Sequence, residues 1–510
     1  MNPFLIAKER PAAVATIIAE TGASMTYGEL AETAGRIASA FRALGLQPGD
    51  HIALMLPNSI WYHPIGWGAW LAGLYWTPIS TRLQHGEVEH ILSDSDSRLV
   101  VTSPEFEPLI AALQPANTPV THWYTIGEGD SRFLPITALI DGHAPLETTP
   151  QTPAGSDMLY SSGTTGRPKG ILPKLGRARD EADPLSTLLT TLYGFTQDSV
   201  YLCPAPLYHG SPLKYTLAIH RIGGTNVIMT KFDAEGALAA IARYHVTHSQ
   251  WVPTMLSRMV RLPDEVKAHY DLSSHAVAVH AAAPCPPELK RQLIDWWGPI
   301  VHEFYAGSEA IGYTAIDTEQ WLAHPGSVGR TVMGEIHIVG EDGKELPAGE
   351  IGQIYFGAGP QIAYHNDPEK TASVYHAHGW ITMGDMGRLD EDGYLYLSDR
   401  KDFMIITGGV NVYPKEIEDL LAVHPAVADV AVFGVPNEEF GEEVKAVVQP
   451  VEWPDDEAGF SDMLTAYCRA NLSAIKVPRS FDLARELPRQ ENGKLYKKAL
   501  RAAYLEKADA

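Results

Sequence analysis

The sequence has few cysteines and few basic residues relative to acidic ones. Its 510 residues include three cysteines, and 39 Lys+Arg stand against 62 Asp+Glu, for a formal net charge of −23. Because Cys203, Cys285 and Cys468 are far apart, we expect neither a disulfide framework nor a CxxC metal site, and a reducing cytoplasmic location suits the chain. The lack of a basic excess argues against a nucleic-acid partner and against an anionic membrane surface.

The sequence also predicts neither a secretory leader nor an integral membrane protein. Its first twenty residues, MNPFLIAKERPAAVATIIAE, have no basic segment ahead of a long apolar core. Residues 52–81 lack Asp, Glu, Lys and Arg, and this stretch reaches the roughly 20 residues that a membrane span needs. Prolines at positions 57, 64 and 78 interrupt it, so we favour a buried strand, HIALMLP, followed by a core helix.

The sequence also lacks the P-loop motif of many nucleotide-binding proteins. Residues 160–170 read YSSGTTGRPKG, which resembles the start of the nucleotide loop G-x-x-x-x-G-K-[ST]. The second glycine of that pattern would fall at Pro168, counting from Gly163, or at Ile171, counting from Gly166. Both positions fail, which excludes a P-loop kinase or GTPase and argues against a generic ATPase.

Alternating strand and helix patterns are present through the first 400 or so residues. HIALML, RLVVTS, SVYLCPAP, NVIMT and AVAVHAAA are strand candidates, whereas AEGALAAIARYH and PELKRQLIDWW have helical patterns. This alternation predicts an α/β fold, with a large N-terminal domain of stacked parallel sheets covered by helices. From Gly334, Asp-Gly turns between alternating apolar runs predict a small β-hairpin or barrel region.

A third segment begins at about Phe403. It combines a helical pattern, KEIEDLLAVHP, with a strand pattern, ADVAVFGVP, and so predicts a small α+β domain. We place the boundary at SDRKDF, which gives an N-terminal domain of residues 1–399 and a C-terminal domain of residues 400–510.

The stretch YSSGTTGRPKG has the composition of an anion-binding loop. Backbone N–H groups at its glycines can form a nest for phosphate, and its hydroxyls and lysine can add hydrogen bonds and charge. The residues concerned are Ser161, Ser162, Gly163, Thr164, Thr165, Gly166 and Lys169. The alternative is a flexible surface loop, because clusters of Ser, Thr, Gly and Pro usually form loops.

Four later stretches accompany this loop: EFYAGSEAIG, GWITMGDMGRLDEDGYLYLSDRKD, FMIITGGVNVYPKEIE and LPRQENGKLYKKALR. The five motifs, in this order, resemble those of the AMP-forming acyl-CoA synthetases of the adenylate-forming (ANL) superfamily. The resemblance extends from Met25 to Leu500. It implies a two-step reaction in which a carboxylic acid and ATP give acyl-AMP and pyrophosphate, and coenzyme A then displaces AMP. It therefore implies ATP, Mg²⁺ and CoA as partners of the chain.

The resemblance also implies roles for individual residues. The loop ending at Lys169 would hold the β- and γ-phosphates, and Glu309 would bind Mg²⁺ with Ser308 beside it. Tyr305 would stack on adenine. The remaining expected nucleotide contacts are Ala282, Ala283, Pro284, Asp385 and Arg400, the last two with the ribose.

Lys494 is the expected catalytic residue by the same resemblance. Its ammonium would offset the repulsion between the carboxylate and the α-phosphate. The alternative is a solvated surface lysine, since two further lysines follow at 497 and 498.

By the same resemblance, Asp402 would be the hinge of a C-terminal domain that turns between the two steps. Gly408 and Gly409 would then border the pantetheine arm, which is compatible with an ordinary turn at this point.

The acyl substrate is the part of the predicted function that the sequence defines least. His209 occupies the position at which peptide synthetases carry a substrate-binding aspartate, so an amino-acid substrate is not expected. His209 instead resembles an aromatic gate with a catalytic role, or it is a histidine packed in the core. The expected pocket residues are His209, Trp251, Gly307, Ala310, Ile311 and Gly312. Small residues there would leave room for a bulky group, and the chain is similar to synthetases for fatty, aromatic or steroid-type acids.

Two departures from the family pattern affect this site: HAAAPCPPEL replaces a glycine-rich stretch, and YAGSE replaces Y-G-x-T-E.

Two rival functions stay open. A stand-alone adenylating enzyme would deliver the acyl group to a carrier protein, although no carrier domain is expected after Lys494. A non-catalytic AMP- or acyl-binding regulator would be expected to lack Lys494 or Glu309. The sequence names neither the acid nor the oligomeric state, and a homodimer remains an option.

Overall fold

Helices and strands alternate along most of the chain in a computed structural model. It describes residues 2–113, 117–129, 132–147, 153–161, 168–175, 182–283, 285–400, 403–408, 410–437, 439–489 and 495–508, without the side chains of 161, 399, 400 and 506–508. The α-helices are α1 (Pro3–Glu9), α2 (Tyr27–Ala43), α3 (Tyr62–Ala72), α4 (His85–Asp94), α5 (Glu107–Ala111), α6 (Pro184–Tyr193), α7 (Gly210–Ile222), α8 (Ala234–Tyr244), α9 (Pro253–Val260), α10 (Asp264–His269), α11 (Pro287–Trp297), α12 (Thr318–Ala323), α13 (Pro368–Ser373), α14 (Pro414–Ala422), α15 (Glu457–Asn471) and α16 (Lys497–Ala508).

The strands are mostly short. They are β1 (Val14–Ile18), β2 (Ser24–Thr26), β3 (His51–Met55), β4 (Tyr75–Pro78), β5 (Ser97–Thr102), β6 (His122–Thr125), β7 (Leu134–Pro135), β8 (Ser156–Asp157), β9 (Leu159–Ser161), β10 (Lys169–Ile171), β11 (Val200–Cys203), β12 (Thr225–Ile228), β13 (His248–Trp251), β14 (Val277–His280), β15 (Val301–Ala306), β16 (Tyr313–Ile316), β17 (Arg330–Met333), β18 (Glu335–Val339), β19 (Gly352–Gly357), β20 (Asp385–Leu389), β21 (Leu395–Arg400), β22 (Ile405–Thr407), β23 (Val410–Val412), β24 (Val427–Asn437), β25 (Gly441–Pro450) and β26 (Ser480–Leu483).

These elements form two compact units. The first comprises residues 1–251, 261–279 and 361–373, and the second comprises residues 252–260, 280–360 and 374–510. In the first unit, one sheet has the strand order β7-β6-β5-β3-β4-β8, and its pairs are parallel. A second sheet there contains β1, β11, β12 and β13 in parallel pairings, with β2 antiparallel at its edge. The predicted α/β fold with parallel sheets is confirmed.

The second unit contains antiparallel sheets. Strands β15, β16 and β17 pair in that order, and β18, β19, β20 and β21 form a separate four-stranded sheet. The order β23-β22-β25-β24 gives a third sheet, and β26 runs parallel to β25. This last sheet packs its apolar face against α14 and α15 through buried residues such as Ile417, Val432 and Leu464. The hairpins predicted after Gly334 and the predicted α+β segment are therefore present.

The uncharged stretch of residues 52–81 is a core segment. Strand β3 is buried along its whole length, and so is every residue of α3. Gly73 ends α3 at φ 72°, a left-handed conformation that glycine adopts without strain. Within the described ranges, no helix combines the length and the apolarity that a bilayer crossing requires.

A buried histidine network lies beside α3. Trp67 Nε1 donates a hydrogen bond to His220 Nδ1 at 3.1 Å, so Nδ1 accepts and the ring proton lies on Nε2, which faces Ala15 O at 3.1 Å. His63 contacts the same ring with its centroid 4.5 Å away. Burial lowers the pKa of His220 to about 4, partly opposed by the hydrogen bond to Ala15. The folded chain therefore holds this imidazole neutral.

We expect this network to make the fold acid-sensitive. The pKa of His220 is lower in the folded state than the ordinary value of 6.5, so the unfolded state binds more protons between these values and stability falls as the pH falls. From pH 7.5 to pH 5, one such group removes about 2 kcal/mol of unfolding free energy. Urea unfolding at both pH values measures the loss, and His220→Gln should reduce it. An equal loss in that variant would contradict the assignment.

Candidate functional site

The predicted phosphate loop connects two paired strands of the first unit. Strands β9 and β10 are antiparallel, with Ser161 opposite Lys169 and Tyr160 opposite Gly170. The hairpin geometry therefore brings the two ends of the motif together. Ser162, Gly163, Thr164, Thr165 and Gly166 lie outside the described residues, as does the side chain of Ser161. Their phosphate contacts stay a prediction.

Three side chains remote in sequence hold the ends of this hairpin. Tyr160 donates its hydroxyl proton to Asp94 Oδ2 at 2.6 Å, and His90 Nε2 lies 3.0 Å from the carbonyl oxygen of Pro168. Lys169 Nζ lies 2.6 Å from Asp367 Oδ2, with the lysine side chain 15% exposed. The hydrogen bond from Lys169 lowers the pKa of Asp367, so this carboxylate is ionised and neutralises the ammonium.

Sequence reasoning did not identify Asp94, His90 or Asp367 as part of this region. The first two lie on or at the end of α4, and Asp367 precedes α13, where it accepts a hydrogen bond from the backbone N–H of Lys370 at 2.8 Å. The sequence NDPEK indicates a helix N-terminus of this kind. It gives no sign that the same carboxylate also binds Lys169, 198 positions away.

The residues expected at the ribose meet in the second unit. Tyr305, on β15, donates its hydroxyl proton to Asp385 Oδ2 at 2.7 Å. Asp385 begins β20 and lies opposite Arg400 at the end of β21. One hairpin thus places the carboxylate and the arginine position side by side, and the tyrosine joins them from another strand. The side chain of Arg400 is not among the described ones.

Two alanines among the expected site residues have an unusual backbone. Ala282 has φ 75° and Ala310 has φ 53°, in the left-handed region that favours glycine and that costs other residues about 1–2 kcal/mol. Ala282 and Ala283 follow one residue after the end of β14, whereas Pro284 lies outside the described residues. The backbone at Ala282 is therefore glycine-like, although HAAAPC contains no glycine.

The turn after β15 carries Ser308 and Glu309. The backbone N–H of Ala310 donates to Gly307 O at 3.0 Å, which closes the turn. A Cβ atom at Gly307 would lie 2.7 Å from Glu309 Oε2 and 2.1 Å from Met383 Sδ. A larger residue at this position would have to displace the Met383 side chain and the Glu309 carboxylate.

Glu309 is suited to a metal ion that arrives with phosphates. Within the described ranges, no three His, Cys, Asp or Glu residues are grouped so as to hold a metal ion. Mg²⁺ commonly binds one or two carboxylates together with substrate phosphates and water. The single carboxylate of Glu309 fits this mode and does not fit a cage made of protein ligands alone.

The small residues of the expected acyl pocket do not leave open space at two positions. Met383 covers Gly307, and a Cβ atom at Gly312 would lie 1.9 Å from Phe356 Cδ1. Neighbouring side chains thus occupy the positions that a Cβ atom would take at these two glycines. Ile311 is buried, at 1% exposure. Whether these residues and Ala310 line an acyl pocket stays a prediction.

The other expected acyl residues, His209 and Trp251, belong to the first unit. His209 immediately precedes α7, and its ring lies 4.7 Å from that of Tyr208. Trp251 is buried, and its indole N–H donates to Ser249 Oγ at 2.5 Å. Ser249 Oγ in turn lies 2.6 Å from Nε2 of His275. Trp251 is thus held in one orientation, whereas the gate role of His209 stays a prediction.

The residues expected in the second half-reaction are only partly described. Gly408 turns the β22–β23 hairpin at φ 57°, and its backbone N–H donates to Phe440 O at 2.9 Å. A Cβ atom there would lie 3.3 Å from the ring of Phe440, so glycine suits this turn. Asp402, Gly409 and Lys494 lie outside the described residues.

Comparisons with known proteins agree with these motifs. The family model "AMP-binding enzyme" matches residues 6–364, and the model "AMP-binding enzyme C-terminal domain" matches residues 416–494. Feruloyl-CoA synthase of Amycolatopsis sp is 32% identical over 512 residues, 99% of both chains. Long-chain-fatty-acid–CoA ligase FadD13 of Mycobacterium tuberculosis is 31% identical over 95% of this chain and 94% of that protein.

A solved structure, ATP-bound MatB from Rhodopseudomonas palustris, shares the fold. It superposes with a TM-score of 0.84 at 29% identity, over 99% of this chain and 100% of that one. Since one family model spans most of the chain and relatives above 30% identity span nearly all of it, the chain belongs to the AMP-binding enzyme family and is an AMP-forming acyl-CoA synthetase of the adenylate-forming superfamily.

Proposed function

We propose that this ligase activates a fatty, aromatic or bulky steroid-type carboxylic acid and transfers it to coenzyme A. The observation that carries the nucleotide part is the contact between Tyr305 and Asp385, with the Arg400 position opposite Asp385 in the hairpin. A carboxylate held by a hydrogen bond, an arginine position opposite it and an aromatic ring suit a ribose with its attached base. The acid classes come from the sequence pattern, with support from relatives named for ferulate and for long-chain fatty acids.

In the first step, the protein has to bring two anions together. The loop ending at Lys169 holds the phosphates, and Lys494 lies between the carboxylate and the α-phosphate, where its charge lowers the repulsion. Mg²⁺, when bound, supplies further positive charge to the phosphates. Glu309 holds it, with Ser308 beside it. The Ala282–Pro284 segment and Tyr305 fix the adenine, so that the α-phosphate lies at one place.

In the second step, the thiol of coenzyme A attacks the acyl carbon and AMP leaves. We propose that residues 400–510 move as a domain about Asp402, which withdraws Lys494 and brings Gly408 and Gly409 to the pantetheine arm. His209 gates the passage between this arm and the acyl pocket. That pocket is lined by Trp251, Gly307, Ala310, Ile311 and Gly312. We also propose that the protein forms a homodimer and is located in the cytoplasm. Light scattering tests the homodimer.

The test is pyrophosphate release across fatty, aryl and steroid acids, with and without coenzyme A. We expect one acid class to release pyrophosphate in an ATP-dependent way, and a thioester to form only when coenzyme A is present. An amino-acid panel serves as the negative control, because His209 replaces the aspartate of amino-acid enzymes. Pyrophosphate release without any thioester would contradict coenzyme A as the acceptor and would favour a carrier protein.

A further inference from the structure

A buried ion pair in the second unit has no part in the reaction described above. Lys290, on α11, is 0% exposed, and its Nζ atom lies 2.7 Å from Oε2 of Glu303, on β15, whose side chain is 8% exposed. Lysine and glutamate are almost never buried unless they are paired. Replacing such a pair by packed apolar residues often leaves stability unchanged or higher. Stability alone is therefore a weak reason for these two charges.

Two further side chains complete this cluster. His280 Nε2 lies 3.5 Å from the same Glu303 oxygen, and Lys290 Nζ lies 4.9 Å from the ring centroid of Trp321. Burial, with a smaller effect of the Lys290 charge, lowers the pKa of His280 well below its usual value. The histidine is therefore neutral. The Lys290 ammonium thus contacts both the Glu303 carboxylate and the face of an indole, and both contacts hold it in place.

Two members of the cluster flank, in sequence, the segment expected at the adenine. His280 is the last residue of β14, and Lys290 lies in the first half of α11, so the Ala282–Pro284 segment runs between them. Glu303 is two residues before Tyr305 on β15, and side chains two apart in a strand point to the same side. The ion pair therefore joins α11, the helix that follows this segment, to the strand that carries Tyr305.

The contacts of Trp321 extend this connection. Trp321, on α12, packs with Tyr394 and Tyr396, and Tyr396 lies on β21, the strand that ends at Arg400. Tyr305 in turn reaches Asp385 at the start of β20. The buried ammonium of Lys290 is thus connected to β15 through Glu303 and to β21 through Trp321 and Tyr396.

We propose that Lys290 and Glu303 are positioning residues for ATP: their ion pair fixes the distance between the Ala282 segment and the strand that carries Tyr305, and so shapes the adenine and ribose site. This inference rests on the proposed nucleotide roles of Ala282 and Tyr305. Neither Lys290 nor Glu303 touches the substrate in this role. A displacement of about 1 Å at such a site can cost roughly 100-fold in activity.

The test is the double variant Lys290→Met/Glu303→Leu, which keeps the side-chain volumes and removes both charges. Single variants leave one charge buried and are expected to fold poorly, whereas the double variant is expected to melt near the wild-type temperature. We expect its KM for ATP to rise about tenfold or more, with the KM values for acid and coenzyme A unchanged. The matched control is Lys445→Met/Asp482→Leu, which removes a 2.9 Å ion pair between β25 and β26. The control should leave the KM for ATP unchanged.

ATP-induced protection against heating provides a second readout that needs no turnover. The double variant should show a smaller rise in melting temperature with ATP than the wild type and the control show. A wild-type KM and full ATP protection in a folded double variant would overturn the proposal, as would an equal rise in all three KM values. Protection by ATP measures nucleotide binding without thioester formation. A wild-type enzyme that binds ATP but forms no thioester would therefore contradict the proposed function and would leave this inference intact.

Discussion

Replacing Lys494 by alanine is expected to slow acyl-adenylate formation by about 100- to 1000-fold, the usual effect of removing one group that stabilises developing charge. The carboxylate and the α-phosphate are both negative, and an ammonium between them lowers the energy of their approach. Thioester formation from supplied acyl-AMP should change much less, because that step involves a neutral thiol or its thiolate and a departing AMP. Pyrophosphate release measures the first step, and thioester formation from synthetic acyl-AMP measures the second.

The matched control for this experiment is Lys498→Ala. Lys498 lies four positions after Lys494 and is exposed, so its removal should leave both half-reactions unchanged. Lys497 is unsuitable as a control because it is buried and pairs with Glu418 at 2.8 Å. An equal loss of both half-reactions in Lys494→Ala would show that Lys494 acts on the fold or on the substrate in general, and would contradict its assignment to the first step.

Asp385→Ala is expected to raise the KM for ATP roughly 10- to 100-fold, since a hydrogen bond to a charged group is worth about 1.5–3 kcal/mol. Tyr305→Phe should have a smaller effect, about fivefold, if its hydroxyl acts mainly by holding Asp385 Oδ2 at 2.7 Å. The double variant should then resemble Asp385→Ala, because the tyrosine hydroxyl has nothing left to position.

Steady-state measurements of KM for ATP and for the acid across this double-mutant cycle check the expectation. The melting temperature of each variant separates a local effect from unfolding. Strict additivity of the two substitutions would mean that Tyr305 and Asp385 act independently on the nucleotide. An unchanged KM for ATP in Asp385→Ala would contradict the ribose assignment outright.

The parts of the molecule that local sequence determines could be predicted. Asp-Gly turns indicated the β20–β21 hairpin, and its register explains why Asp385 and Arg400 are neighbours although 14 residues separate them. Short apolar runs that alternate with helical patterns likewise predicted β3 and β14, and β3 pairs in parallel with β4 and β5. In these cases, the residues that form the sequence pattern are the same residues that form the strand or the turn.

The contacts that depend on long-range packing could not be predicted in this way. Asp367 neutralises Lys169 from a distant segment, and Glu303 pairs with Lys290 in the core. Nothing in the local pattern distinguishes these carboxylates from solvated ones. At Gly307 and Gly312, likewise, Met383 and Phe356 from distant parts of the chain occupy the positions that a Cβ atom would take. Residue size alone does not show where a cavity lies.

Ala282 has a consequence for how the segment after β14 is held. Glycine adopts φ 75° without strain, whereas alanine in that conformation is about 1–2 kcal/mol above its right-handed and extended conformations. Because alanine by itself would leave this conformation, the surrounding structure has to impose it. The strain at Ala282 thus shows how firmly its surroundings fix the segment that we propose contacts adenine.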